Sequence, residues 1–194
     1  QNPAATAMLA ELSNKDVSYV LHEHFNEHSG AVWFADVALA MARRDLHFVA
    51  SLPLYLNYRD LAVPASVLPL FQGIDDRGLF EAQKDYATNA FFRRDVYRKG
   101  AVPFSSTAAD AYLEAGAFGT LSPAADTARS VRLAYSTMGF VGTIFDALIA
   151  ALGDGPATVD ALVGRASLAA FSRRQILDSV RNLLIGGLVV PMKK

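Results

Sequence analysis

The sequence predicts an α+β protein, mainly α, built as two small units over residues 1–100 and 101–194. Three observations carry this. Apolar residues recur at helical spacing in both halves, β-prone runs are few and short, and a Lys99-Gly100-Ala101-Val102-Pro103 punctuation separates two stretches of different composition. The chain has 194 residues, 52% of them hydrophobic and 19% charged. A chain of this size buries about 70% of its unfolded surface.

In the first unit, Asn2-Pro3 is a helix start, and Ala5, Met8, Leu9 and Leu12 form one apolar face. A second helix carries Val17, Val20, Leu21 and His24 on one face and ends at Ser29-Gly30. A third carries Phe34, Val37, Ala38 and Met41, with Asp36 in its first turn and Arg43-Arg44 in its last, both favourable to the helix dipole. Residues 46–50 read as a strand. A short helix over 65–71 and an Asp75-Asp76 cap lead into a long helix over 77–91. Its expected buried stripe is Leu79, Phe80, Tyr86, Ala87, Ala90 and Phe91. Residues 92–98 follow as a strand or extended edge.

The second unit opens with an alanine-rich helix over 107–115, then two β-like pieces over 118–121 and 131–135. Val141, Ile144, Phe145, Leu148 and Leu152 make one helix, and residues 158–163 a shorter one. Ser172-x-x-Gln175 is a capping box for a last helix faced by Ile176, Val180, Leu183 and Leu184. Gly186-Gly187 stops that helix, and 188–190 read as a strand. Three helices and a strand in this order resemble a winged helix-turn-helix.

The formal net charge of −1 points to neither nucleic acid nor a membrane surface as partner. With no cysteine there are no disulfides, thiol nucleophiles or thiolate metal sites. No apolar run reaches the length of about 18 residues that a membrane helix needs, and no signal peptide opens the chain. A cytoplasmic protein is expected. Gln1 in place of Met implies processing, or excision from something longer.

Three patterns that could carry chemistry weaken on inspection. His24-Phe25-Asn26-Glu27-His28 has the HxxEH spacing of a zinc hydrolase. Ser29-Gly30 follows at once and no third ligand stands in a recognisable context, so no metal is expected. Gly153-x-Gly155 follows a helix rather than a strand and precedes proline, which is wrong for a dinucleotide or adenosylmethionine loop. Arg165, Arg173, Arg174, Arg181, Lys193 and Lys194 face one acid, Asp178, in the last 30 residues. That makes a DNA-binding winged helix with an N-terminal sensing domain the alternative reading, but Asp178 can pair with Arg174 and Arg181 along the helix.

The residues that distinguish the chain lie in two segments. Tyr19-x-x-His22-Glu23, Trp33-Phe34 opening a helix and Leu46-x-Phe48-Val49 form the first; Glu81-x-x-x-Asp85-Tyr86 and Phe92-Arg93-Arg94 form the second. Together they resemble the regulatory domain that follows the catalytic domain in a group of bacterial S-adenosylmethionine-dependent methyltransferases. The resemblance implies a non-catalytic chain that binds no cofactor itself, S-adenosylmethionine belonging to an associated catalytic domain. It implies that catalytic domain as partner, in cis or in trans, and a protein substrate, protein lysine in some members, with neither membrane nor nucleic acid. Tyr19, His22, Glu23, Arg93 and Arg94 are its candidate binding residues. Because Glu23 and the two arginines stand among apolar neighbours, Glu23 is expected to pair with Arg93 or Arg94.

Overall fold

The computed structural model describes residues 3–25, 27, 30–100 and 106–193. The chain is mainly α with three small antiparallel sheets, the α+β class expected. It begins with two helices, α1 (Pro3–Leu12) and α2 (Val17–His24). Asp16 caps α2 by accepting from the Ser18 backbone N–H at 2.8 Å. The apolar faces expected to be buried are open. Met8, Leu9, Val17 and Leu21 are exposed, and α2 buries no residue. Periodicity identifies an apolar face without saying what covers it.

The third helix, α3 (Phe34–Ala42), behaves as expected: Phe34 is buried, and Val37, Ala38 and Met41 are half-buried. Asp45, in the left-handed region at φ 58°, turns the chain into strand β1 (Leu46–Ser51). Its partner is β2 (Asp95–Lys99), antiparallel, from Leu46 opposite Lys99 to Ser51 opposite Asp95. A register shift between Phe48 and Ala50 lets one extra residue into β1. The second strand starts at Asp95, not at Phe92.

Between the strands run α4 (Arg59–Ala62), a 3-10 turn (Leu68–Phe71) where a short helix was expected, and α5 (Arg77–Thr88). Asp76 caps α5 through the Leu79 N–H at 2.6 Å. Asn89, left-handed at φ 49°, ends it before the expected stop at Phe91. The expected apolar stripe is also corrected. Leu79, Tyr86 and Phe91 are exposed, and the residues α5 buries are Phe80, Glu81 and Lys84. The apolar core here is small: Val63, Phe71 and Phe80, the two rings edge to face at 5.4 Å.

The second half contains α6 (Ser106–Ala115), β3 (Ala117–Gly119), a hairpin of β4 (Ser130–Arg132) and β5 (Thr137–Gly139), and α7 (Thr143–Gly153). It closes with β6 (Ala157–Thr158), α8 (Val159–Val163), α9 (Arg173–Ile185) and β7 (Val190–Met192). Strand β3 lies between β6 and β7, antiparallel to both. The helices expected over 107–115, 141–152 and 172–185 are present, and both arms of the Ser172–Gln175 capping box form. Val141 stands before α7 and is exposed. Their shared core is dense and apolar, with Phe118, Leu148, Leu162, Leu168, Ile176 and Leu183 fully buried. Gly186 is required by close approach: a Cβ there would stand 2.5 Å from the Phe140 ring. Gly187, at φ 73°, takes the left-handed turn out of α9.

The contrast between these surfaces is measurable. Ile176→Ala should cost about 2–5 kcal/mol in urea unfolding, because the cavity cannot collapse. Leu9→Ala, on the open face of α1, should shift the midpoint by no more than about 0.5 kcal/mol.

Candidate functional site

The face that α5 turns inward carries charge. Arg77, Glu81, Lys84 and Asp85 stand three and four residues apart, the spacing that brings side chains together on one helix face. Glu81 is completely buried. Its Oε1 accepts from Arg77, at 2.8 Å from Nη2 and 2.9 Å from Nε. Its Oε2 takes Lys84 Nζ at 2.6 Å and Arg93 Nη2 at 2.7 Å.

Arg93 enters from the extended segment just before β2 and joins the network to the sheet. Its Nη1 donates to Asp85 Oδ1 at 2.5 Å and its Nε to Asp95 Oδ2 at 2.8 Å. Its Nη2 also reaches the Ser51 hydroxyl at 3.0 Å, and that hydroxyl donates to Asp95 Oδ1 at 2.8 Å. The β1–β2 register makes this possible, since it sets Ser51 opposite Asp95. The guanidinium lies 4.4 Å from the centre of the Phe34 ring. Lys84 completes its shell on the Leu56 carbonyl at 3.0 Å, and Arg77 donates to Asn57 Oδ1 at 2.8 Å. Three carboxylates face three cations, so the interior is neutral as a set.

Burial opposes the charge on Arg93, but its bonds to Asp95 and Glu81 and the fields of Asp85 and Asp95 outweigh it, and its pKa is raised. Burial likewise lowers Lys84, offset in part by Glu81. Burial pushes the Asp85 carboxyl up, opposed by the charge and hydrogen bond of Arg93. The short bond to a permanently cationic guanidinium identifies the interaction as charge-assisted. The network holds structure together; each of the three guanidinium nitrogens of Arg93 is already engaged.

The candidate residues from the sequence separate. Arg93 is the centre of the network. Arg94 is exposed and lines a cavity of about 180 Å³ with Lys84, Phe92 and Tyr135. Tyr19, His22 and Glu23 are exposed on α2, which contributes nothing to the network; Lys15 stands over the Tyr19 ring at 5.7 Å. The expected Glu23 pairing does not form among the described residues: Arg93 is taken by Glu81, Asp85 and Asp95, and no ion pair joins Glu23 to Arg94. Glu81 and Asp85 stand in the pattern that carries the resemblance, but nothing local in the sequence marks them as partners of Arg93. The missed signal was charge recurring at helical spacing in a helix with few apolar positions.

The other candidates resolve as follows. Helix α2 ends at His24, inside the HxxEH run, whose Asn26 and His28 lie outside the described residues. Among the described residues no group of three His, Cys, Asp or Glu is placed to hold a metal. The arginines of α9 are paired more fully than the sequence suggested. Arg174 meets Asp178 and Asp110, each at 2.8 Å, and Arg181 meets Asp178 at 2.6 Å and also Asp110. Arg173 meets Asp160 at 2.6 Å and Glu114 at 3.3 Å. Asp110 and Glu114 come from α6, invisible to spacing within α9.

Outside the network is a cleft of about 780 Å³ lined by Val32, Trp33, Tyr86, Phe91, Phe92 and Asp85 among others. The Trp33 and Tyr86 rings stack at 5.0 Å, 15° from parallel. Trp33 and Tyr86 also border a recess of about 230 Å³, lined as well by Phe34, Asp36 and Asp85.

Removing one partner from a buried ion pair leaves the other uncompensated. Arg93→Ala should therefore destabilise by about 3–5 kcal/mol in urea unfolding, and Glu23→Ala by no more than about 0.5 kcal/mol. Asp85 adds a pH signature. A carboxyl raised in the folded state contributes stability while protonated and loses it as pH climbs through the folded value. Urea midpoints of the wild type should thus fall relative to Asp85→Asn as the pH rises above the unfolded value of 3.8.

Residues 16–99 match the family described as a predicted methyltransferase regulatory domain. An uncharacterized protein of Synechocystis sp. is 30% identical over 101 residues, covering 52% of this chain and 20% of that protein. Two solved structures of PKMT2 from Rickettsia typhi, one in complex with AdoHcy, align over the whole chain with TM-scores of 0.62 and 0.61 at 16% identity. At that identity the likeness shows the fold. The chain spans 43% and 42% of those two chains, and a fifth of the Synechocystis protein. The network of Glu81, Asp85, Arg93 and Asp95 lies wholly inside the segment that matches the predicted methyltransferase regulatory domain.

Proposed function

We propose that the chain is the non-catalytic, regulatory or substrate-recognition portion of an S-adenosylmethionine-dependent methyltransferase acting on a protein, with protein lysine as the substrate class. It works beside a catalytic domain, in cis or in trans, that holds the cofactor. The division near residue 100 separates the regulatory unit from the C-terminal one, and the end of the family match at Lys99 supports it. A cytoplasmic setting is part of the reading; no helix among the described residues is long and apolar enough to cross a membrane.

The observation that carries the reading is the alignment of the entire chain with less than half of PKMT2. The chain's own geometry agrees with it. Adenosylmethionine and dinucleotide sites of the doubly wound type need a parallel strand leading through a glycine loop into a helix. All strand pairs among the described residues are antiparallel. The most concentrated ionisable groups are occupied by one another.

The winged-helix reading of the C-terminal unit has support in the order α7, β6, α8, α9, β7. A DNA-binding role gains nothing from it, because the α9 arginines that would meet phosphates are held by Asp110, Glu114, Asp160 and Asp178. Phosphate contacts dominate such binding and make it salt-dependent.

Calorimetry of the chain alone should show no saturable adenosylmethionine binding. Added to a separately produced catalytic portion of the same protein, it should change kcat or KM for a protein substrate several-fold. Micromolar cofactor binding by the chain alone, or no effect on the catalytic portion, overturns the proposal. A duplex-DNA gel shift retained at physiological salt and lost in a combined Arg173→Ala, Arg174→Ala, Arg181→Ala variant would replace it with the DNA-binding alternative.

A further inference from the structure

The aromatic cleft is broad, about 780 Å³, and Asp85, Arg93 and Asp95 of the network line part of it. Val32, Trp33, Tyr86, Phe91 and Phe92 line it, and each is more than half exposed. Five large apolar side chains left open around one cleft make an interaction surface rather than scattered exposure. Its polar groups are biased. Across the cleft and the adjoining recess the acids are Asp36, Asp85 and Asp95, and the basic residue is Arg93, already bonded to Asp85 and Asp95. The recess itself holds Asp36 and Asp85 beside the Trp33 and Tyr86 rings, with no basic side chain.

The protein shows one layer deeper what such a set accepts. Arg93 stands 4.4 Å from the centre of the Phe34 ring while Asp85 binds its guanidinium. Trp33, just before α3, and Asp36, in its first turn, flank Phe34, and Tyr86 follows Asp85 on α5. The surface repeats the arrangement of aromatic face and carboxylate, but among the described residues no cation lies over Trp33 or Tyr86. A planar guanidinium suits both features, since it stacks on rings and forks onto carboxylates.

We infer that this cleft docks a segment of a separate protein in which an arginine stands among apolar residues, its guanidinium stacked on the Trp33–Tyr86 pair and held by Asp36 and Asp85. The flanking apolar side chains lie on Phe91, Phe92 and Val32. A second copy of this chain fits poorly, because a two-fold contact sets the same patch against itself and would oppose Asp36 and Asp85 with their own copies. A permanently packed partner also fits poorly, because carboxylates at the rim cost free energy to bury without a matched cation. A transient, partly hydrated peptide contact satisfies both constraints.

The docking deepens the substrate-recognition reading and rests on it. Its test reads binding without methyl transfer, so a failed titration removes the docking and leaves the regulatory reading to its own assay. The probe is a fluorescently labelled, blocked pentapeptide with a central arginine between leucines, followed by anisotropy. Trp33, the only tryptophan in residues 1–194, reports from inside the site. Saturable binding is expected, with Trp33 quenching in step. Affinity should fall about tenfold or more when citrulline replaces arginine, and also in Tyr86→Ala and Asp36→Asn, a loss equivalent to about 1.4 kcal/mol or more. A lysine peptide should bind more weakly than the arginine one. Both substituted side chains are exposed, so urea midpoints matching the wild type confirm that the variants fold. Equal binding of the citrulline peptide overturns the inference, as does unchanged affinity in both variants. So does tighter binding of the lysine peptide. Self-association that displaces the peptide assigns the cleft to a second copy. Loss of peptide binding in the protein at its full natural length assigns it to the protein's own polypeptide.

Discussion

A fully buried carboxylate is the constraint on which the first half of this protein depends. Glu81 has no access to solvent, and taking an ionised carboxylate out of water costs several kcal/mol unless charge and hydrogen bonds replace the lost hydration. Here Arg77, Lys84 and Arg93 replace it. Two of these come from α5 itself and are supplied by helical spacing. The third must arrive from the chain beyond Asn89. Wherever Arg93 goes, β2 follows two residues later, so satisfying Glu81 also aligns β2 with β1.

The two halves therefore reach order by different routes. The C-terminal core excludes water with Leu, Ile, Val and Phe packed from α7, α8, α9 and β3. Its stability comes mostly from non-directional burial. The apolar core of the first half is three residues deep, and much of its definition comes from directional bonds. Ser51, Asn57, Asp85 and Asp95 are held by geometry as well as by contact. A wrong register of β1 against β2 would move Ser51 from Asp95 and leave Arg93 without its full set of acceptors. Such a network is costly when half satisfied, and that cost penalises alternative pairings.

Helix α9 was legible down to its cap, because Ser172 and Gln175 act locally and Ile176, Val180 and Leu183 recur at helical period. The family resemblance was legible too, on a pattern that includes Glu81, Asp85 and Arg93. What those residues do was not. Glu23 and Glu81 look alike as letters among apolar neighbours, yet one is exposed on α2 and the other is sealed inside. The difference lies in contacts 30 to 44 residues apart, such as Ser51 with Glu81 and Asp95, which local pattern does not encode. The same limit explains Asp110 and Glu114. They neutralise α9 from α6, more than 50 residues upstream. The open faces of α1 and α2 mark the reverse case, in which an amphipathic pattern is real and its cover is not among the described residues.

Adjacent residues divide their work between the closed network and the open cleft. Phe34 turns inward under the Arg93 guanidinium, and Trp33 beside it faces outward onto Tyr86. Asp85 turns inward to Arg93, and Tyr86 beside it completes the outward stack. The cleft's aromatic wall is thus one peptide bond from Asp85, fixed by a charge-assisted bond to Arg93, on one side and from Phe34, set against the Arg93 guanidinium, on the other. The stack joins the start of α3 to the last turn of α5, and Arg93, bonded to Asp85 of α5 and set against the Phe34 ring of α3, links the same two elements. A surface of exposed rings supported only by loop contacts would rearrange readily. Here the buried salt-bridged layer sets the position of the aromatic layer above it, so the charge-balanced interior preorganises a broad surface open to a partner.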